Sequence, residues 1–188
     1  MPDGERLARH PAALLVTLPN AITFARICAV PLAVWLVLRH DLAGAFWLFV
    51  AAGLSDAVDG WLARRHGGTA LGAVLDPMAD KALLVSMYIT LASIGVLPDW
   101  LAILVVFRDA VIVGGVLVMA VLGQPVMIRP IAVSKVNTAL QIVLVAFVLL
   151  LHGFSVMAPI VDTVLIWAVA GSTLASGAGY AWRAASGR

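Results

Sequence analysis

Apolar runs fill this chain almost end to end. Six stretches stand out: residues 21–38, 42–62, 72–96, 100–122, 136–151 and 159–182. They are closed by turn or charge signals at Arg39-His40-Asp41, 64–69, Leu97-Pro98-Asp99, 123–135 and 152–158. Roughly 20 apolar residues cross the hydrocarbon core of a bilayer, so the pattern reads as six crossings joined by short connections. Backbone groups in hydrocarbon must be satisfied internally, which leaves helices and closed barrels. The run lengths and the lack of alternation exclude strands. Composition agrees. Of 188 residues, 63% are hydrophobic and 12% charged, and the mean hydropathy is +1.06. A soluble domain is about 45–50% apolar and about 25% charged. A soluble enzyme, a disordered tail and a small secreted domain are excluded. The expectation is an all-α polytopic membrane protein: six transmembrane helices in one domain spanning residues 1–188, without internal repeats.

Arg6 and Arg9 precede a short apolar run at 12–18, which imitates a signal peptide. No small-x-small cleavage site follows, and Pro19-Asn20 leads directly into the next apolar run. A retained interfacial helix is expected within residues 1–18. Arg6, Arg9, Arg64, Arg65, Arg129, Lys135, Arg183 and Arg188 fall at one set of span ends, with Asp41, Asp99 and Asp162 near the other. The positive-inside rule then puts both termini and the 64–69 connection in the cytoplasm, in a bacterial inner membrane. The isoelectric point near 9.1 reports this orientation, and no nucleic-acid partner is expected. The single Cys28 has no disulfide partner and reads as core packing. Gly114-Gly115 reads as a place where another helix approaches closely.

The acids carry the functional signal. Of ten acidic residues, four lie between positions 56 and 80: Asp56, Asp59, Asp76 and Asp80. Charges at the end of a transmembrane segment are costly and mark function by default. On a helix, 56, 59, 60 and 63 form one stripe, as do 72, 76 and 80. Each stripe pairs two carboxylates with small residues: Gly60 and Ala63 on the first, Gly72 on the second. The short connection predicts antiparallel neighbours whose stripes face each other. Four converging carboxylates repel unless protonated or bridged, and hard divalent cations such as Mg²⁺ or Mn²⁺ favour all-oxygen ligands. The small residues let a ligand approach the backbone, while Arg64 and Lys81 add the positive charge a pyrophosphate needs. Together these features point to phosphoryl chemistry on a lipid at the cytoplasmic face.

The window Asp56-Ala57-Val58-Asp59-Gly60-Trp61-Leu62-Ala63-Arg64, followed by Gly72, Asp76 and Asp80, resembles the signature of the CDP-alcohol phosphotransferases, D-x2-D-G-x2-A-R-x8-G-x3-D-x3-D. Every defining residue is present, although seven residues rather than eight separate Arg64 from Gly72. The resemblance implies attack by an acceptor hydroxyl on the lipid-proximal phosphorus of a CDP-linked lipid, with CMP leaving. By position it makes Asp56, Asp59, Asp76 and Asp80 ligands of two divalent ions, with Asp80 also the general base. Asp56, Gly60, Ala63, Arg64, Gly72 and Lys81 would bind the CDP-lipid. A homodimer is also implied.

Three further segments bear on the acceptor. Residues 18–26, Leu-Pro-Asn-Ala-Ile-Thr-Phe-Ala-Arg, are similar to the opening of phosphatidylglycerophosphate synthases and of this family's cardiolipin synthases. Phe107-Arg108-Asp109 and residues 134–141, Ser-Lys-Val-Asn-Thr-Ala-Leu-Gln, most resemble mitochondrial-type cardiolipin synthases. Phosphatidylglycerophosphate synthases typically carry Arg-Glu at the first of these. The likeness favours phosphatidylglycerol as acceptor, giving cardiolipin, with glycerol 3-phosphate as the alternative. Asn20, Arg26, Arg108 and Lys135 are candidate acceptor ligands. Each also has a structural reading: a helix N-cap for Asn20, snorkelling for Arg26, a membrane-embedded pair for Arg108-Asp109, and an orientation anchor for Lys135. A cation-coupled transporter is the rival from another class. It would place acids near the midplane on broken, repeated helices, and neither feature is seen.

Overall fold

The computed structural model describes residues 18–66, 70–121 and 132–185, with side chains at 23–58, 78–115, 133–180 and 182. Six helices account for nearly all of it: α1 Leu18–Leu38, α2 Leu42–His66, α3 Ala70–Ser93, α4 Asp99–Val121, α5 Ala132–Gly153 and α6 Pro159–Ala185. No strand occurs among the described residues. The helices follow the six apolar runs closely. The expected interfacial helix lies outside the described residues, except that Leu18 already belongs to α1. Among the described side chains, Val133–Gly153 and Pro159–Tyr180 are long and apolar enough by themselves to cross a membrane, and the described parts of α1 and α2, Thr23–Leu38 and Leu42–Val58, are apolar too. α3 carries Asp76, Asp80 and Lys81 and α4 carries Asp99, Arg108 and Asp109.

The helix ends are set by local chemistry. α1 closes with His40 at φ 59°, where the amides of His40 and Asp41 donate to the carbonyls of Val37 and Leu36. That is a Schellman cap. Asp41 then starts α2, its Oδ1 accepting from the Gly44 amide at 2.9 Å, an N-cap to N3 bond. α3 closes with the same bonds at Gly95, φ 76°, and α5 at Ser155, φ 55°. Gly95 is why α3 stops at Ser93 and not at residue 96. Asp99 and Asp162 sit in the first turns of α4 and α6, where acids oppose the positive end of the helix dipole.

Packing turns one stripe of each helix inward. On α1 the buried positions are Thr23, Arg26, Ala33 and Val37, a three-four spacing along one face. α1 packs against α2 and α3, α5 against α6 and α2, and α4 against α3 and α6. Tyr88, Met87, Leu91, Leu101, Leu144 and Leu149 form the centre of the core. The stripes expected to face each other on α2 and α3 lie mostly outside the described side chains, apart from Asp56 and Asp80 at their ends. Cys28 is exposed rather than core-packed, because it lies on the outer face of α1. Gly114 and Gly115 face open space among the described residues, which supply no helix making the close approach expected there.

Candidate functional site

α2 and α3 each run unbroken through their signature positions, so 56, 59, 60 and 63 lie in register on α2 and 72, 76 and 80 on α3. The side chains of Asp59, Gly60, Ala63, Arg64, Gly72 and Asp76 lie outside the described ones, as does that of Asn20. Asp56 and Asp80 are described, and α1 brings them together. Arg26 Nη1 lies 2.9 Å from Asp56 Oδ1 and 2.8 Å from Asp80 Oδ1. The arginine side chain is 1% exposed, whereas those of Asp56 and Asp80 are 42% and 45% exposed. The snorkelling reading of Arg26 is therefore wrong. The three-four stripe of α1 turns the residue inward, and two carboxylates supply the counter-charge that burial requires.

The next residue on α3 points elsewhere. Successive helical positions differ by about 100°, so Asp80 reaches α1 while Lys81 reaches α4. Lys81 Nζ donates to Asp109 Oδ2. Asp109 Oδ1 accepts from Arg108 Nη1 at 2.7 Å, and both residues are buried. Arg108 Nη2 donates to Ser134 Oγ of α5 at 2.7 Å and to Ser176 Oγ of α6, with its guanidinium 5.9 Å over the Tyr180 ring. Arg108-Asp109 is thus more than a local pair, being the centre of a network joining four helices. Lys81, expected beside the CDP-lipid, is tied into this network.

Along α5, Asn137 Oδ1 accepts from Ser172 Oγ and Thr173 Oγ1 of α6, both at 2.8 Å. Lys135 is exposed and lines a shallow groove of about 470 Å³ with Ser134, Thr138, Ala139 and Ile142. Ser134 is the link between this groove and Arg108. A larger hollow of about 580 Å³, lined by Ile89, Ile103, Phe107 and neighbours, holds none of the expected site residues. Sequence reasoning missed Ser176 and Tyr180. Neither carries charge or motif spacing, and only the fold places them against Arg108.

Converging carboxylates on the signature stripes, joined by a buried cation, define one pole of the site, and the Lys81–Asp109–Arg108 network defines another. The family model for CDP-alcohol phosphatidyltransferases matches residues 16–175. The chain belongs to that family. Among its relatives is a cardiolipin synthase (CMP-forming) of Rattus norvegicus, 32% identical over 181 residues, 87% of this chain and 60% of the relative. Another is a CDP-diacylglycerol–glycerol-3-phosphate 3-phosphatidyltransferase of Bacillus subtilis, 33% identical over 183 residues, 87% of this chain and 92% of the relative. A cardiolipin synthase/mitochondrial hydrolase fusion protein of Schizosaccharomyces pombe is 33% identical over 182 residues, 88% of this chain. The chain spans only 31% of the fission yeast relative's length and 60% of the rat one's. Both acceptor classes are represented among these CDP-alcohol phosphatidyltransferases at equal identity, so either specificity fits.

The donor set suits a divalent cation. Asp56 and Asp80 offer hard oxygens from two helices to one point, and that point already attracts positive charge. Among the described residues no set of three potential ligands is complete, since Asp59 and Asp76 are not described beyond their backbone.

Proposed function

We propose that this protein is a membrane-embedded, divalent-metal-dependent phosphatidyltransferase that joins CDP-diacylglycerol to phosphatidylglycerol, forming cardiolipin and CMP. The observation that carries this reading is the meeting of Asp56 and Asp80, from the two signature helices, at a single point. Asp56, Asp59, Asp76 and Asp80 hold Mg²⁺ or Mn²⁺, which when bound stabilises negative charge on the transferring phosphate. Gly60, Ala63, Arg64 and Gly72 line the nucleotide side. Asp80 takes the proton of the acceptor hydroxyl as its oxygen bonds to the lipid-proximal phosphorus. The bond from that phosphorus to CMP breaks, and CMP leaves with the bonding electrons.

A lipid acceptor is supported by the groove at Ser134 and Lys135. It runs along α5, and Ser134 on its wall accepts from Arg108. The network's two cations, Lys81 and Arg108, are matched by one carboxylate, Asp109. With Lys135 on the groove as well, the region keeps an excess of positive charge, which suits a phosphate-bearing acceptor. An Arg-Glu pair would neutralise Arg108 equally, so the acceptor assay decides. Six spans, a cytoplasm-facing site, inner-membrane placement and a homodimer complete the proposal. The membrane reading is supported by large apolar side chains exposed on every helix, among them Phe24, Trp47, Ile89, Ile103, Ile142 and Trp167.

CMP release from CDP-diacylglycerol by purified protein, with Mg²⁺ or Mn²⁺ and each acceptor offered separately, tests the reading. Release with phosphatidylglycerol alone is expected. Release with glycerol 3-phosphate alone would transfer the assignment to phosphatidylglycerophosphate synthesis, and silence with both would remove it.

A further inference from the structure

Arg26 is deeply buried, yet Asp56 and Asp80, the carboxylates it touches among the described residues, are nearly half exposed. If the contact separated, the arginine would bear most of the desolvation cost, so it has a strong preference for an anion at that spot. Its Nη1 approaches the same carboxylates that the proposed function assigns to divalent cations. A guanidinium and a divalent ion compete for those oxygens, since like charges in contact repel strongly where water is scarce. We propose that Arg26 is the resident counter-ion of the metal cleft: it holds Asp56 and Asp80 together in the metal-free protein, and cation binding displaces it.

This rests on the reading of Asp56 and Asp80 as metal ligands. The contact explains how a metal-free cleft keeps its carboxylates converged without their mutual repulsion opening the helices. It also places a price on metal entry, because the guanidinium must give up its contacts with these two carboxylates. Arg26 is therefore a positioning residue that sets the affinity of the cleft for cations.

The test is Mn²⁺ binding to the full-length protein in lipid nanodiscs, followed by the electron paramagnetic resonance signal of free Mn²⁺. Arg26→Gln removes the competing charge and should bind Mn²⁺ at least roughly tenfold more tightly than the unmodified protein. Arg26→Lys keeps the charge and should stay near the unmodified affinity. The metal-free Arg26→Gln protein should also unfold at lower temperature and gain more from added Mn²⁺. Equal or weaker Mn²⁺ binding by a folded Arg26→Gln protein would overturn the proposal while leaving the metal reading intact. Absence of Mn²⁺ binding by the unmodified protein would overturn both. Should Arg26→Gln fail to fold, nitrogen-15 arginine side-chain resonances of the unmodified protein decide. Diamagnetic Mg²⁺ should move the Arg26 signal, identified by its loss in Arg26→Lys, and an unmoved signal in Mg²⁺-bound protein would overturn the proposal.

Discussion

Asp109 carries two cations on one buried carboxylate, Arg108 through Oδ1 and Lys81 through Oδ2. Removing one partner of a buried ion pair typically costs about 3–5 kcal/mol, because the charge left behind is uncompensated. Asp109→Ala should lower the denaturant midpoint of the purified protein by an amount of that order. Asp109→Asn, which keeps the shape and an acceptor oxygen, should lower it less; equal losses would show that volume and not charge matters there. Asp80→Asn should abolish CMP release with only a modest loss of thermal stability, since Asp56 still pairs with Arg26 and asparagine keeps an acceptor oxygen; turnover at the unmodified rate would remove the base assignment. The carboxylates of both poles were legible as sequence, since charged residues stand out in apolar runs. The adjacent Arg108–Asp109 pair was legible too, whereas the cations that reach these carboxylates from other helices were not. Nothing in the spacing between Lys81 and Asp109, or between Arg26 and Asp80, announces a contact made across separate helices.

At the scale of the helices, close approach and capping are set by a few positions. A Cβ on Gly153 would lie 2.7 Å from the Ala43 amide nitrogen and 2.9 Å from the Leu42 carbonyl carbon. These are backbone atoms, which cannot move aside as a flexible side chain would. Gly153→Ala should therefore destabilise the protein by roughly 1–3 kcal/mol through overpacking of α5 on α2. Gly115→Ala meets nothing within 4 Å and should be neutral or stabilising by up to about 1 kcal/mol, the helix-propensity gain. A loss at position 115 in detergent-solubilised monomer would show a contact within the chain. Asp41→Ala removes the α2 N-cap and should cost about 1 kcal/mol, read in the same unfolding assay. Helix positions followed from the apolar runs. The close approach at Gly153 did not, because the glycine pair that attracts attention in the sequence lies on an open face.

At the scale of the molecule, an apolar core also holds Arg26, Arg108, Asp109, Asn137 and Gln141, while Trp35, Trp47, Trp167 and Trp182 are exposed. In reconstituted vesicles, brominated acyl chains should quench most tryptophan fluorescence and aqueous iodide much less. Dominant quenching by iodide would contradict the proposed membrane placement. Sequence alone determined the helices, their approximate ends and the acidic signature, because run length, turn residues and charge are local properties. It also determined the family, since the signature is a pattern of residue types at fixed spacing. Only the tertiary structure decided which faces turn inward, because on an apolar helix the lipid-facing and core-facing stripes are made of the same residues. It placed α1 against both signature helices, which no local signal announces. That packing brings Arg26 to Asp56 and Asp80, and a contact between three helices is a property of the packed bundle that no single segment contains.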